Sequence, residues 1–251
     1  MKFFRHRANA LPKQNGWKNQ KIIMGDGMNK NWAKRVLGLT VGILVAGACW
    51  SAEDFVVPRV DVGPDLDGSL SDSAWRGAAT LDAFTIVRQT NVTESTTCMV
   101  MMDKAWLYLG FRCANPNMSQ IDQLEKKRDE GVTRDESVEI FLDPGSDGAL
   151  YYQFILSFAN VQADRRFASG EKRDTSWTIP WRSATRKDDQ GWTAELALPL
   201  SLIKHHGDPS KVRMNIARNE RQLELDQAGA TLAEKRVCSS WGVAHNSYTE
   251  R

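Results

Sequence analysis

One stretch decides the fold: residues 135–143, which read Asp-Glu-Ser-Val-Glu-Ile-Phe-Leu-Asp. Within it, apolar Val138, Ile140 and Leu142 recur at every second position, and this period of two predicts a β-strand with one apolar face. Glu139 lies in the middle of the opposite face. A buried carboxylate without a partner is too costly, so this side chain must face water, a cation or a ligand.

The same alternation returns along the chain. Residues 96–102 and 106–113 flank a short turn and predict a β-hairpin. Further strands are predicted at 151–158, 192–198 and 212–218. Short strands separated by frequent turns predict an all-β fold, an antiparallel β-sandwich (jelly-roll-like) with short helical insertions.

Other segments show different patterns. Ser71 is placed to cap a short helix that holds Asp72 in its first turn. Residues 115–134 are highly charged and predict a long loop with one helical turn. Residues 159–176 predict a loop or an irregular strand, and residues 222–236 are polar with helical propensity.

The charge distribution is uneven. Residues 1–52 hold 9 of the 33 basic residues and 1 of the 31 acidic ones, so the remainder carries a formal net charge of −6 although the whole chain carries +2. General nucleic-acid binding needs a basic surface, and this acidic body argues against it.

The N-terminal region has the pattern of an export signal. Residues 28–52 combine a basic start, an uncharged apolar run at 37–48 and small residues at the end of that run. The run is too short for a membrane span of about 20 residues. We therefore expect translation to start at Met28, residues 1–27 to be a mis-annotated extension, and residues 53–251 to form one exported domain with no membrane span.

Four cysteines refine this expectation. Cys49 follows the small residues, which leaves a lipoprotein anchor as the alternative to simple signal cleavage. The export pattern predicts a periplasmic, cell-surface or extracellular location. Cys98 and Cys113 fall on neighbouring predicted strands, so the sequence allows a disulfide between them, but two buried free thiols are favoured. Cys238 then remains unpaired.

Eight motifs in a fixed order carry a resemblance to a known family. They are Asp67-Gly68 followed by Trp75; the hairpin with Asp103 and Leu107-Tyr108; residues 135–143; Tyr151-Tyr152-Gln153-Phe154; Trp177 with Trp181; Gly191-Trp192-Thr193-Ala194-Glu195 ending at Pro199; Asn215 with Arg218; and Ser240-Trp241. In this order and spacing, from about residue 58 to the end, the chain resembles the family 9 carbohydrate-binding modules. Family members usually continue past this point, so we expect either a fragment or a sandwich without one edge strand.

The resemblance implies a β-sandwich that binds a poly- or oligosaccharide without catalysis and is often attached to a glycoside hydrolase or the cell surface. Glu139 matches a mid-strand glutamate that contacts sugar in binding members. The family stacks sugar between two aromatic rings; residues 131–134 hold no aromatic residue here, and Tyr248 is the nearest match to the second ring. Some members carry structural calcium, for which Asp65, Asp67, Asp143 and Asp147 are the candidates in turns.

The roles of several residues are open at this point. Glu139 is either a ligand contact or an ion-pair partner, with Arg218 as its candidate cation, and Arg218 is also a candidate carbohydrate-binding residue. Trp177 and Trp181 form either a sugar platform or part of the core, and the core is favoured. Glycoside hydrolysis needs two carboxylates about 5–10 Å apart in a cleft. Glu139 and Glu195 are the only mid-strand pair, and because nothing else suggests a catalytic cleft, we expect no catalysis.

Two further functions are compatible with a sandwich of this kind. Related sandwiches hold haem b, and a haem-binding electron-transfer domain would need a pair of ligands facing a cavity. The candidates are Met99, Met101, Met214, His205 and His245. The second is a scaffold or sensor that kept the fold and lost sugar affinity.

Overall fold

The computed structural model describes residues 21–23, 55–87, 92–93, 95–204 and 211–241. Within these ranges the strands form two sheets whose facing sides share one apolar core, which confirms the predicted all-β, antiparallel sandwich. The strands are β1 (Lys21–Ile23), β2 (Phe55–Val56), β3 (Ala79–Leu81), β4 (Phe84–Ile86), β5 (Val92–Thr93), β6 (Thr96–Met102), β7 (Trp106–Ala114), β8 (Ser137–Asp143), β9 (Leu150–Ser157), β10 (Gln162–Ala168), β11 (Arg182–Asp188), β12 (Gly191–Pro199), β13 (Lys211–Leu225) and β14 (Thr231–Ser240).

The larger of the two sheets has the order β10-β9-β8-β13-β14-β4-β5 in the described residues, with β1 joined to β13 and β2 joined to β1. The smaller sheet has the order β11-β12-β7-β6-β3. Helical structure in the described ranges is limited to 3₁₀ turns at Ser73–Gly77, Met118–Gln120 and Val132–Arg134 and to α1 (Ser201–Lys204). No helix in this part of the chain is long and apolar enough to cross a membrane.

The main core lies between the sheets and follows the predicted alternation. Val138, Ile140 and Leu142 point into it from β8 and are buried. Leu109 on β7 and Leu196 on β12, which are cross-strand partners, cover them from the smaller sheet. Because side chains alternate along a strand, Glu139 is necessarily placed on the outer face of the larger sheet.

Several local predictions were wrong. Residues 162–168 form the regular strand β10, paired along its length with β9. The polar segment 222–236 is a long hairpin made by the ends of β13 and β14, where Arg221 donates to Glu234 through Nε at 3.0 Å and Nη2 at 2.7 Å. Residues 182–188, for which the sequence predicted no strand, form β11. Each of these segments pairs with the strand next to it in the chain, and this pairing satisfies its backbone polar groups, so it overrides local propensity.

The outer face of the smaller sheet carries a second apolar cluster, which includes Met101 and Tyr108. A 3₁₀ turn with Asp72 as its N-cap, in place of the predicted Ser71, closes this cluster with Trp75. Glu195 holds this turn in place. Its carboxylate accepts hydrogen bonds from Trp75 Nε1 at 2.8 Å and from the backbone N–H groups of Asp67 and Gly68 at 2.8 and 2.6 Å.

Both sheets are joined by a buried ion pair. Arg218 on β13 is fully buried, and its Nη2 donates to Glu136 Oε2 at 2.7 Å. Arg218 also donates to backbone oxygens of the smaller sheet region, at Ser95 (3.0 Å) and Ala114 (3.2 Å). Glu136, just before β8, accepts from Trp192 Nε1 of the smaller sheet at 3.1 Å. Each charge therefore bonds groups on the opposite sheet.

The same neighbours control the protonation of Arg218. Burial acts to lower its pKa, but Cys113, Glu136 and Glu220 more than offset this, so the pKa of Arg218 lies above its ordinary value. The guanidinium is thus charged inside the sandwich. A charge in this place depends on its partners, because an unpaired buried ion is very unfavourable.

We expect Arg218→Met to destabilise the protein by about 3–5 kcal/mol, because it leaves Glu136 buried without its cation. Urea unfolding measures the change. The control is Arg186→Met, which removes an exposed ion pair to Asp67 and should cost no more than about 1 kcal/mol. Equal, small effects for both variants would contradict this role of the buried pair.

The cysteines of the described region are free thiols. Cys98 and Cys113 are both buried and are not joined by a disulfide, as the favoured interpretation predicted, and Cys238 is half-buried. Burial raises the pKa of the Cys98 thiol well above its usual range and raises the pKa of Cys113 to about 12. Burial, together with Glu139, raises the pKa of Cys238 to about 12.

We therefore expect all three thiols to resist iodoacetamide at pH 8 in the folded protein, since the thiolate is the reactive form. In urea without reductant, each should be alkylated rapidly. Peptide mass spectrometry reads out the three sites separately. A Cys98–Cys113 disulfide in unreduced peptides, or fast labelling of the folded protein, would contradict the expectation.

Candidate functional site

Glu139 is held from two neighbouring strands on the outer face of the larger sheet. Its side chain is 8% exposed and lies between Ile155 on β9 and Ala217 on β13. Gln153 Nε2 donates a hydrogen bond to Oε2, and Asn219 Nδ2 donates to Oε1 at 2.8 Å. One amide from each adjacent strand thus fixes one carboxylate oxygen.

These contacts extend into a polar row across four strands. On β10, Arg165 Nη1 donates to Gln153 Oε1 at 3.4 Å. On the other side, Asn219 Nδ2 also donates to Ser137 Oγ at 3.1 Å. Direct cross-strand partners share a face, as do residues two positions away from them, so the row follows from strand register. It presents carboxylate, amide, hydroxyl and guanidinium groups in a line.

Aromatic rings lie beside this row. Tyr151 and Phe167 are directly paired on β9 and β10, and their half-buried rings stack with centroids 4.4 Å apart and an interplanar angle of 7°. They are on the same face as Gln153 and Arg165, each of which lies two residues away on the same strand. A sheet face with hydrogen-bonding groups next to aromatic surface suits a ligand that has both hydroxyl groups and apolar C–H surface.

A 3₁₀ turn borders the row on the side opposite the aromatic rings. Val132, in the turn Val132–Arg134, packs on Ile155, Val161 and Ala163 of the outer face. Between this turn and the β13–β14 hairpin lies a pocket of about 100 Å³. Asn219 forms part of its wall, so the pocket is continuous with the amide that holds Glu139.

The structure separates the sequence-predicted site residues. Arg218 lies on the core face of β13 and pairs with Glu136, so the interpretation in which Glu139 pairs with Arg218 is wrong. The physical reason is parity: Arg218 is the direct cross-strand partner of Val138, whose side chain points into the core. Tyr248 lies outside the described residues.

The two tryptophans lie on the interior side of the larger sheet. Trp181 is 6% exposed and belongs to the main core, as the core interpretation predicted, with its ring edge-on to Phe154 at 5.7 Å. Trp177 is half-buried and stacks on Tyr152 at 4.7 Å. Neither shares the face of Glu139, because Tyr152 and Phe154 alternate with Gln153 along β9.

Three polar contacts of the site were not predicted from the sequence: Arg165, Asn219 and the pairing of Gln153 with Glu139. A signal for them was present in part. Gln153 and Asn219 have the parity of an outer face once the strand register is known, but the register between strands as distant in the chain as β8 and β13 is not visible in the sequence. Arg165 lies in a segment predicted to be loop or irregular strand.

Three of the four candidate calcium ligands, Asp67, Asp143 and Asp147, accept turn-forming hydrogen bonds. Asp67 Oδ1 accepts from Ser69 N and Asp147 Oδ1 accepts from Ala149 N, each at 2.8 Å. Asp143 Oδ2 accepts from Gly148 N at 2.8 Å. Among the described residues, no group of three or more His, Cys, Asp or Glu side chains is placed to hold a metal ion.

The residues considered for haem ligation and for glycoside hydrolysis are also dispersed. Met101 lies in the cluster outside the smaller sheet and Met214 in the main core, so no shared cavity brings them together. Met99 packs against the outer cluster, and His205 and His245 lie outside the described residues. Glu195 and Glu139 occupy the outer faces of different sheets, and the carboxylate of Glu195 is fully engaged by its own chain.

We expect Trp181→Ala to destabilise the protein by about 3–5 kcal/mol, since it empties a large core volume. Trp177→Ala, in a half-buried position, should cost about 1–2 kcal/mol less than that. Urea denaturation followed by circular dichroism measures both. Trp181→Ala at native stability, with loss of binding to a ligand, would identify a surface platform and contradict the core placement.

Comparison with known proteins places these features in context. The family model described as carbohydrate family 9 binding domain-like matches residues 66–242. No curated protein matches the chain. A solved structure of a candidate carbohydrate-binding protein from Bacteroides uniformis ATCC 8492 has a TM-score of 0.53 and 13% identity over 73% of this chain and 88% of that chain, which shows a shared fold.

Two structures of a family 9 carbohydrate-binding module from Caldicellulosiruptor kristjanssonii were also matched. The one in complex with cellotriose has a TM-score of 0.48 and 17% identity, over 76% of this chain and 87% of that chain. The one in complex with glucose has a TM-score of 0.48 and 16% identity, over 76% and 89%.

Proposed function

The chain belongs to the carbohydrate family 9 binding domain-like family, and on this premise we propose that it binds saccharides, without catalysis, on the outer face of its larger sheet. The observation that carries the proposal is the fixed carboxylate of Glu139. Gln153 and Asn219 orient it from both sides, and all three side chains come from paired strands. Such a group is pre-organised before any ligand arrives.

The chemistry of the row suits a sugar. Each carboxylate oxygen of Glu139 accepts one described hydrogen bond, whereas an ionised carboxylate offers about four lone-pair sites. The remaining sites can accept from sugar hydroxyls. Gln153 and Arg165 would add a second set of polar contacts, and the Tyr151–Phe167 pair would cover an apolar C–H face.

Two further residues belong to this proposal. Tyr248 remains our candidate for the ring that stacks on the sugar from the C-terminal segment. Trp177 would contribute indirectly, by stacking under Tyr152 and so stabilising β9 from the core side. Arg218 and Trp181 would not contact the sugar, because both are buried between the sheets.

We further propose that the protein acts outside the cytoplasm in the breakdown of polysaccharides, attached to a glycoside hydrolase or to the cell surface. The support is the export pattern of residues 28–52 together with the family membership. Mass spectrometry of the native protein tests the first part: a mature N-terminus close to residue 49 is expected, and peptides from residues 1–27 in cells would contradict it.

We expect Glu139→Ala to lower the affinity for saccharide at least tenfold, because it removes the central acceptor and releases two amides. A glycan array followed by calorimetry on the best ligand provides the measurement. Glu139→Gln tests the charge separately, since it keeps the shape. The matched control is Glu171→Ala, an exposed carboxylate in a surface loop, which should bind as wild type does.

Folding of each variant is checked by urea unfolding. Binding that is unchanged in both Glu139→Ala and Tyr248→Ala would defeat the assignment of the site. Absence of binding to every glycan by the wild-type protein would defeat the proposed function itself.

A further inference from the structure

We propose that the pocket beside Glu139 takes the carboxylate of an acidic sugar, so that the preferred ligand is a uronic-acid-containing saccharide. This inference rests on the proposed function and extends it to the class of ligand. Three arginines line the pocket: Arg134, Arg221 and Arg236. They approach it from two sides, Arg134 from the 3₁₀ turn before β8 and the other two from the β13–β14 hairpin.

Two of these guanidinium groups remain accessible. The side chain of Arg134 is 59% exposed and pairs with Glu125, and that of Arg236 is 51% exposed, with Nε 3.6 Å from Glu234 Oε1. A guanidinium carries five N–H donors in a planar fork. One ion pair leaves most of these donors for a ligand, so the two walls can hold one anionic group between them.

Arg221 has a different role in the pocket. Its guanidinium is nearly buried and makes a two-point contact with Glu234, while Nη1 donates to the backbone oxygen of Asp122 at 2.7 Å. Its charge is thus balanced by Glu234 and Asp135, and Arg221 contributes a rigid floor with few free donors. Arg221 also orients Glu234, which in turn faces Arg236.

Two carboxylates of the pocket wall are engaged by their own chain. Asp135 accepts from the backbone N–H groups of Leu124 and Glu125, at 2.9 Å each. Glu220 accepts from Ser95 Oγ at 3.3 Å and from Gln222 Nε2 at 3.2 Å. Both carboxylates therefore accept hydrogen bonds from the protein itself, whereas the exposed side chains of the wall include Arg134 and Arg236.

The pocket and the polar row are joined through one residue. Asn219 lines the pocket and donates to Glu139 Oε1 at 2.8 Å. A sugar whose hydroxyls contact the Glu139 row can therefore extend its substituents toward the arginines. A planar carboxylate matches the guanidinium fork in two-point geometry, and a hydroxymethyl group in the same place gains no such pairing.

The test compares matched oligosaccharides on wild-type protein by calorimetry at low salt: an oligoglucuronate against a neutral oligoglucose of equal length. We expect at least tenfold tighter binding of the oligoglucuronate, decreasing as salt is added. Arg134→Gln and Arg236→Gln should each lower the affinity for oligoglucuronate about five- to tenfold and leave neutral binding within twofold. Lys235→Gln, an exposed cation next to Arg236 on the opposite face of β14, should change neither.

The outcomes separate this inference from the proposed function. Equal affinity for the two oligosaccharides, with loss of both in Glu139→Ala, would overturn the acidic-sugar inference and leave saccharide binding standing. A preference for oligoglucuronate that persists in both arginine variants would also overturn it, because it would place the carboxylate elsewhere. No binding of either oligosaccharide would overturn the inference together with the proposed site.

Discussion

The buried pair of Glu136 and Arg218 is the interaction on which the rest of the structure depends. Arg218 lies on β13 and Glu136 directly before β8 of the larger sheet, and they bond Trp192 and Ala114 of the smaller sheet and Ser95 next to it. Such a pair tolerates little displacement, since a buried charge that loses its partner is very unfavourable. It therefore sets how the two sheets are placed against each other at this end of the core.

This constraint also determines which face Glu139 occupies. Glu136 and Val138 have the parity of the core, so Glu139 must point away from it. The same parity on β13 sends Arg218 inward and Asn219 outward. Two adjacent residues thus point to opposite faces of the larger sheet: Arg218 stabilises the sandwich, and Asn219 holds the carboxylate of Glu139.

The candidate site consequently has a rigid centre and more variable borders. Glu139, Gln153 and Asn219 are carried by paired strands and are almost completely buried or half-buried. The borders come from a 3₁₀ turn and from a long hairpin, which carry the exposed Arg134 and Arg236. Substitutions at the borders can therefore alter which ligand is preferred, while the central residues keep their geometry.

The sequence by itself determined the strand character of β6, β7, β8, β9 and β12, their core faces and the outward direction of Glu139, because a period of two is a local property of the chain. Only the structure decided that residues 162–168 and 182–188 are regular strands and that residues 222–236 form a hairpin, since cross-strand pairing satisfies their backbone groups. It likewise decided that Arg218 pairs with Glu136 and that Gln153 and Asn219 meet at Glu139. Register between distant strands depends on the packing of the whole core, and no local pattern encodes it.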